Sequence, residues 1–176
     1  MKKRKVILYI AMSLDGYIAT NDGDLTWLDA VQVPDEDYGY HDFVNTVDTV
    51  IMGRKTYDKV LTFGIPFPHE ERMCYVLSQS RQGKDDNVTF YGGELTELIA
   101  GLKEKEGGNV FIDGGANIVN ELMKFDLIDK FIISVIPAFL GDGIRLFNDG
   151  RPGNTLKLLH TATYPSGLVQ MWYDKV

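Results

Sequence analysis

The stretch Val50-Ile51-Met52-Gly53-Arg54-Lys55-Thr56 predicts a buried strand that ends at a glycine and leads directly into a helix. A second stretch of this kind, Val110-Phe111-Ile112-Asp113-Gly114-Gly115-Ala116-Asn117, follows about sixty residues later. A helix start attracts phosphate, and glycine lets the backbone approach a ligand closely. Each turn alone is more typical of an ordinary connection, since neither is a GxGxxG or Walker motif. Together they predict a long ligand held at two points, such as a dinucleotide.

The length and composition favour one domain with a full core. The chain has 176 residues, of which 44% are hydrophobic, so we expect a single domain over 1–176. The formal net charge of −7 disfavours nucleic acid as a partner, because nucleic-acid-binding domains usually carry a basic face. A phosphate-bearing cofactor remains compatible with this charge, since it needs only a local group of cations.

The cysteine content and the first residues predict a cytoplasmic protein with no membrane partner. The single cysteine, Cys74, cannot form an internal disulfide, and we interpret it as a small buried core residue. The start Lys2-Lys3-Arg4-Lys5 and the apolar run 6–12 resemble a short signal peptide, but the run is brief and has no small-x-small cleavage site. We therefore predict a basic tail that leads into a first strand.

Hydrophobic periodicity predicts strands that alternate with helices, followed by a hairpin. Strands are predicted at 6–12, 49–52, 73–78, 88–91, 109–112 and 130–136, and helices at 34–47, 55–60, 95–106 and 117–124. Two further strands, 156–164 and 168–175, are joined at Pro165-Ser166-Gly167. This order predicts a three-layer αβα domain with a mainly parallel central sheet and a C-terminal antiparallel hairpin.

Four segments resemble, in the same order, the dihydrofolate reductase family. Residues 50–57 are similar to its strand-to-helix motif, which holds cofactor phosphates, and 75–78 to the next strand, whose end meets the 2′-phosphate of NADPH. Residues 112–115 resemble its glycine turn at the pyrophosphate, which contains a cis Gly–Gly peptide, and 131–147 resemble its next strand and loop. The resemblance covers most of the chain and implies the dihydrofolate-reductase-like fold with NADPH as the cofactor.

The opening 12–19 is more typical of a sister branch, the reductase (C-terminal) domain of the riboflavin-pathway bifunctional deaminase–reductase and its stand-alone relatives. Two departures from the dihydrofolate reductases agree with this: Asp113 stands at a glycine position, and Thr26-Trp27 replaces Pro-Trp. The chain has no zinc-deaminase signature and no histidine spacing typical of a metal site, so it resembles the reductase half alone.

Both branches transfer a hydride from NADPH to a carbon–nitrogen double bond. The resemblance therefore implies an NADPH-dependent oxidoreductase, most like 5-amino-6-(5-phosphoribosylamino)uracil reductase of riboflavin biosynthesis. Reduction of dihydrofolate is the alternative among enzymes. A non-catalytic nucleotide-binding protein on the same fold is the alternative from another class.

The resemblance also implies which residues bind the cofactor. They lie at strand ends and helix starts: Ala11, Gly53, Arg54, Lys55, Thr56, Leu77, Ser78, Arg81, Gly114, Gly115, Ala116 and Asn117. Two of these have structural alternatives, because Thr56 could be only a helix N-cap and Ser78 only a turn residue.

On the substrate side, Asp37 falls where the dihydrofolate reductases keep their pterin-binding carboxylate, when residues are counted back from Gly53. We expect an apolar cleft to raise its pKa, which suits a catalytic acid. The alternative is a solvated acid in the first turn of the 34–47 helix. Three further residues match substrate-side positions: Trp27, Ser134 and Arg72. The alternative for Trp27 is packing into the core, for Ser134 a hydrogen bond to the backbone, and for Arg72 a surface ion pair.

We expect a small-molecule substrate and a homodimer. The resemblance implies the dimer, since riboflavin-pathway relatives are commonly dimeric and two-fold dimers are the commonest assembly. The sequence adds only apolar residues around one loop, Phe139, Leu140 and Ile144.

Overall fold

The computed structural model describes residues 3–176, in which there are eleven strands and four α-helices. They are β1 (Val6–Ser13), β2 (Tyr17–Ala19), α1 (Tyr40–Val44), β3 (Val47–Gly53), α2 (Arg54–Val60), β4 (Met73–Leu77), β5 (Gly83–Lys84), β6 (Thr89–Tyr91), α3 (Leu95–Lys103), β7 (Asn109–Gly114), α4 (Ala116–Lys124), β8 (Lys130–Ile136), β9 (Ile144–Arg145), β10 (Leu156–Thr163) and β11 (Val169–Lys175). Short 3-10 helices span Thr26–Val31 and Leu61–Phe63. None of the helices found between residues 3 and 176 has the length and apolar character that crossing a bilayer requires.

The central sheet has the strand order β10-β11-β8-β1-β7-β3-β4-β6-β5. The strands from β8 to β6 are parallel to one another, whereas β11 and β10 form an antiparallel hairpin at one edge and β5 is antiparallel at the other. Strands β2 and β9 pair separately. The predicted mainly parallel sheet with a C-terminal antiparallel hairpin is therefore confirmed.

Helices cover both faces of the sheet, which confirms the three layers. On one face, α3 and α4 bury an apolar stripe against β1, β7 and β8; it includes Ile99, Leu102 and Leu122. On the other face, α1 and α2 pack Phe43 and Tyr57 against the central strands. These two cores hold the sheet rigid, so that its carboxyl edge can position a site.

The predicted helix 34–47 is wrong in most of its length. The helix begins only at Tyr40, because Asp35 and Tyr38 have φ angles of +64° and +56°, which an α-helix cannot contain. Pro34 and the acids after it belong to irregular turns, and Val47 is already the first residue of β3. The strands β2, β5 and β9 were not predicted, because two or three residues are too few to show a period.

The prediction of a basic tail is wrong for Arg4, while Lys2 lies outside the described residues. Arg4 is only 3% exposed. Its guanidinium binds four surrounding groups: the carbonyls of Leu102 and Gly108, the hydroxyl of Thr49 and the carboxylate of Asp48. A buried cation needs partners of this kind, and Arg4 consequently ties the start of β1 to β3, to α3 and to the loop before β7.

Candidate functional site

The carboxyl ends of β8, β1, β7, β3 and β4 lie side by side at one edge of the sheet. Most of the predicted site residues are found there. The strand register places Ala11 beside Ser134, and Gly53 beside Leu77. In open α/β sheets this edge is where ligands bind, so the fold brings residues from distant parts of the chain to the expected place.

The two glycine turns touch each other. A Cβ atom on Gly53 would lie 3.7 Å from the backbone nitrogen of Gly115 and 3.9 Å from the carbonyl oxygen of Gly114. A Cβ on Gly115 would lie 3.3 Å from Oγ1 of Thr56. The peptide between Gly114 and Gly115 is cis, as the resemblance implied. The backbone here forms a cradle that larger side chains would fill, which fits a diphosphate group.

Helix α4 begins directly after this cradle, with Gly115 as its N-cap. The first N–H groups of a helix, here those of Ala116 and Asn117, have no intrahelical acceptor, so they are available to an anion. Gly53 is likewise the N-cap of the shorter α2. The alternative interpretation of Thr56 as an N-cap is therefore wrong.

Two arginines meet beside the first turn. Asp58 accepts hydrogen bonds from Arg54 at 3.0 Å and from Arg81 at 2.6 Å, one on each carboxylate oxygen. The Ser78 hydroxyl accepts a bond from the backbone N–H of Arg81 at 2.9 Å, so Ser78 does shape the turn after β4. Lys55 is exposed nearby. The group of Arg54, Asp58 and Arg81 carries one net positive charge, although the whole chain is acidic.

A cavity of about 660 Å³ opens at the same edge and includes Ala11 and Ser134 in its wall. Its walls are mainly apolar and come from β1, β8 and the segment between residues 28 and 40. This volume lies within the range of sites that bind small molecules. The cavity therefore lies at the same edge of the sheet as the glycine cradle and is large enough for a small molecule.

Asp37 lines this cavity, but the expectation of a raised pKa is wrong. Its carboxylate accepts hydrogen bonds from the backbone N–H groups of His41 and Gly39, each at 2.9 Å, and from the His41 imidazole at 2.5 Å. These bonds hold the pKa of Asp37 below its ordinary value. Asp37 is consequently an ionised carboxylate in the cavity wall, bonded to backbone N–H groups at the start of α1.

Two predicted substrate residues do not line the cavity. Trp27 packs behind it, in an apolar cluster with Val31, Ile136 and Leu168. Arg72 precedes β4 and donates a hydrogen bond to the carbonyl of Val44 at 3.2 Å. Of the four substrate-side predictions, only Asp37 and Ser134 lie together in the cavity wall.

Sequence reasoning missed the polar groups behind this wall. Gln170 is 1% exposed and donates hydrogen bonds to the hydroxyls of Tyr9 and Ser134. Burial raises the pKa of Tyr9 to about 12, so its phenol is protonated at neutral pH. One signal was available: Gln170 and Trp172 alternate on one face of β11, and a glutamine on a strand's buried face needs a partner.

A second missed pair explains the departure at position 113. His69 is 2% exposed, and its Nε2 lies 3.3 Å from an oxygen of Asp113. The imidazole packs edge-on against the rings of Phe67 and Phe111. The carboxylate of Asp113 thus has a partner from the segment between α2 and β4. Asp113 also lies near Tyr40, whose pKa is raised by burial and by that negative charge.

Two of the three apolar residues behind the dimer prediction are exposed. Phe139 is 76% exposed and Ile144 is 39% exposed. An exposed apolar group is a common feature of subunit contacts, but the homodimer stays a prediction.

Comparisons with known proteins agree with this architecture. The chain is 45% identical to the uncharacterized protein YwjB of Bacillus subtilis, over 97% of this chain and 98% of that one. A solved structure from Shewanella sp. PV-4, whose name assigns it to riboflavin biosynthesis, has a TM-score of 0.89 and 34% identity, with 98% and 99% of the two chains covered. The deaminase/5-amino-6-(5-phosphoribosylamino)uracil reductase of Thermotoga maritima has a TM-score of 0.73 over 99% of this chain and 57% of its own. At 17% identity, that likeness concerns the fold alone.

The sequence profile named RibD C-terminal domain matches residues 4–170, nearly the whole chain. This match and the relatives above confirm the resemblance to the riboflavin-pathway reductases within the dihydrofolate-reductase-like superfamily. With the glycine cradle and the adjoining cavity at the sheet edge, the chain belongs to the RibD C-terminal domain family.

Proposed function

We propose that this protein is a cytoplasmic, NADPH-dependent reductase that acts on a carbon–nitrogen double bond of a pyrimidine-type substrate, as in the reduction of 5-amino-6-(5-phosphoribosylamino)uracil. The observation that carries the proposal is the contact between the two glycine turns, at the same sheet edge as the cavity. Family membership supports the reductase chemistry. The single cysteine, free and buried, supports a reducing compartment.

The residues of the cradle fit such a cofactor. The backbone of Gly53, Gly114 and Gly115 would hold its diphosphate, because no Cβ atom blocks the approach. Arg54 and Arg81 would bind the 2′-phosphate, whose charge exceeds that of the single carboxylate they share. When bound, NADPH supplies the hydride, and the protein supplies orientation and a dry cavity.

The cavity residues have separate tasks in this proposal. The ionised carboxylate of Asp37 accepts hydrogen bonds from N–H groups of the substrate ring. The apolar side chains of Leu28, Val31 and Ile136 offer the substrate ring a surface to pack against. Tyr9 on β1 and Ser134 on β8 provide hydroxyl groups in the cavity.

Calorimetric titration with NADPH and NADH, followed by a turnover assay, tests the proposal. We expect NADPH to bind and to be oxidised with 5-amino-6-(5-phosphoribosylamino)uracil as the substrate. Dihydrofolate is the comparison substrate. Binding of neither nicotinamide cofactor would exclude the reductase, and cofactor binding without turnover of either substrate would favour a non-catalytic nucleotide-binding protein.

Replacing Arg81 with alanine should weaken NADPH binding about ten- to hundredfold, because a hydrogen bond to a charged group contributes about 1.5–3 kcal/mol. NADH lacks the 2′-phosphate, so its affinity should not change. The measurement is the dissociation constant of each cofactor by calorimetry. Arg151→Ala is the matched control, since Arg151 lies over the ring of Phe147, away from the cradle. Equal losses for both cofactors would contradict the 2′-phosphate assignment.

Replacing Asp37 with asparagine should leave NADPH affinity nearly intact and remove most dihydrofolate reduction, if the protein has any. Reduction of the ribosylaminopyrimidine should suffer less, because it depends less on a single ring-binding acid. Steady-state kinetics on both substrates make this measurement. Asp42→Asn, in the exposed part of α1, is the control. Loss of cofactor affinity would instead assign Asp37 a purely structural role.

The Asp37→Asn variant should also change how the stability of the protein depends on pH. The pKa of Asp37 is lower in the folded protein, so its ionised form stabilises the fold above the ordinary carboxyl range. That contribution disappears as the pH falls and the carboxylate is protonated. Melting temperatures of wild type and Asp37→Asn should therefore differ at neutral pH and converge in acid.

A further inference from the structure

The floor of the cavity contains a small hydrogen-bond network with a fixed direction. Ser134 on β8 and Gln170 on β11 are register partners across the sheet, and Ala11 flanks Ser134 on the other side. Gln170 donates to the hydroxyl of Ser134 at 3.1 Å and to that of Tyr9 at 3.0 Å. Both serine and glutamine are at least 95% buried, at 5% and 1% exposed.

The orientation of the Gln170 amide follows from its neighbour. The indole N–H of Trp172, which can only donate, binds Oε1 of Gln170 at 2.7 Å. The amide oxygen must therefore face Trp172, and the NH₂ group must face the two hydroxyls. The same nitrogen also lies 3.3 Å from the carbonyl oxygen of Tyr38. Because an amide nitrogen can only donate, neither Tyr9 nor Ser134 can give its hydrogen to Gln170.

Each hydroxyl has one hydrogen left to donate. Tyr9 gives its hydrogen to the backbone carbonyl of Tyr38 at 3.0 Å, and a carbonyl can only accept. Within residues 3–176 no protein group accepts the hydrogen of Ser134, whose hydroxyl stands in the cavity wall. A buried donor without an acceptor is costly, so an occupant of the cavity gains by supplying one.

We propose that Ser134 is a specificity-determining donor, which requires a hydrogen-bond acceptor such as a ring carbonyl oxygen from the cavity's ligand. Gln170 is the positioning residue that imposes this direction. An exocyclic amino group at this point could only donate to the remaining lone pair of the serine oxygen, and the serine hydrogen would stay without an acceptor. This inference rests on the proposed function only in taking the cavity as the site of a pyrimidine-like ring.

A pair of ring probes tests the direction: pteridine-2,4-dione and 2,4-diaminopteridine, which differ by exchange of carbonyl acceptors for amino donors. Calorimetry should give tighter binding of the dione by wild type. Ser134→Ala should weaken dione binding about tenfold and diamine binding by clearly less, and Ser134→Thr should restore the dione affinity. Equal effects on both probes, or no measurable binding of the dione, would overturn the proposal.

Gln170→Glu tests the positioning role, because a carboxylate accepts the serine hydrogen and draws it away from the cavity. Dione affinity should fall as in Ser134→Ala, and the double variant should show no further loss. Gln32→Glu, at the exposed rim of the same cavity, is the matched control. Additive losses would overturn the role of Gln170. If Gln170→Glu does not fold, the alanine and threonine variants at position 134 still decide the main proposal.

Failure of the proposed reductase function and failure of the Ser134 proposal would give different results. Absence of NADPH oxidation with every substrate would remove the reductase function and leave the probe pattern of Ser134 unchanged. If the protein turns over substrate but its dione affinity does not change in Ser134→Ala, the reductase function stands and the assignment of Ser134 as a donor is overturned.

Discussion

Gly115→Ala is expected to weaken NADPH binding about ten- to hundredfold while the protein remains folded. The φ angle of Gly115 is −79°, which alanine can adopt, so the backbone itself does not forbid the change. The added Cβ lies 3.3 Å from the Thr56 hydroxyl, a contact that a small rotation can relieve. The same methyl group occupies the surface of the cradle where a diphosphate must approach.

Calorimetry with NADPH measures the loss, and thermal denaturation without cofactor checks the fold. Gly101→Ala is the control, because Gly101 lies within α3 and an added Cβ there meets nothing within 4 Å. That variant should keep its affinity and gain about 0.5–1 kcal/mol of stability, since alanine favours a helix over glycine. Unchanged NADPH affinity in a folded Gly115→Ala variant would make the second turn purely structural.

Arg4→Ala should lower the free energy of unfolding by about 3–4 kcal/mol, as expected for four hydrogen bonds of about 1 kcal/mol each. The guanidinium is buried, and its removal leaves the carbonyls of Leu102 and Gly108 without their donor. For a chain of this length the melting temperature should fall by roughly 10 °C. Urea denaturation and calorimetry measure the two quantities.

Lys5→Ala is the matched control for this large effect, because it removes the same charge one residue away. Lys5 pairs with Asp174 at 3.2 Å on the surface, where an ion pair is worth about 0–1 kcal/mol. Similar losses for the two variants would mean that net charge, and not the buried contacts of Arg4, stabilises the start of β1.

The sequence was sufficient for the sheet and most helices, because their signals are local. A buried strand, a glycine and a helix start occur within a few residues of each other at 50–56 and again at 110–117. The prediction of a helix over residues 34–47 failed for a physical reason. The proline and acids of this segment suit a first helical turn, but the left-handed φ angles of Asp35 and Tyr38 prevent a helical conformation before α1.

The cofactor side of the candidate site could be predicted further than the substrate side. The cradle depends on glycines that are visible in the sequence. The cavity floor depends on pairing between β8 and β11, which places Gln170 opposite Ser134. The pKa of Asp37 depends on N–H groups made available by the start of α1, and Asp113 finds its partner His69 in a loop 44 residues earlier. Such contacts are set by the tertiary fold and leave little local signal.

The carboxylate of Asp58 has a consequence for the kinetics and thermodynamics of anion capture. It holds two long side chains in place before any phosphate arrives, so part of their rotamer entropy, up to about 2 kcal/mol for each, is already lost on folding. A phosphate that bound here, as proposed, would meet ordered donors, and its affinity would be reduced less by conformational cost. The same carboxylate would repel the anion weakly, so this group of residues would favour a dianionic phosphate over a singly charged group.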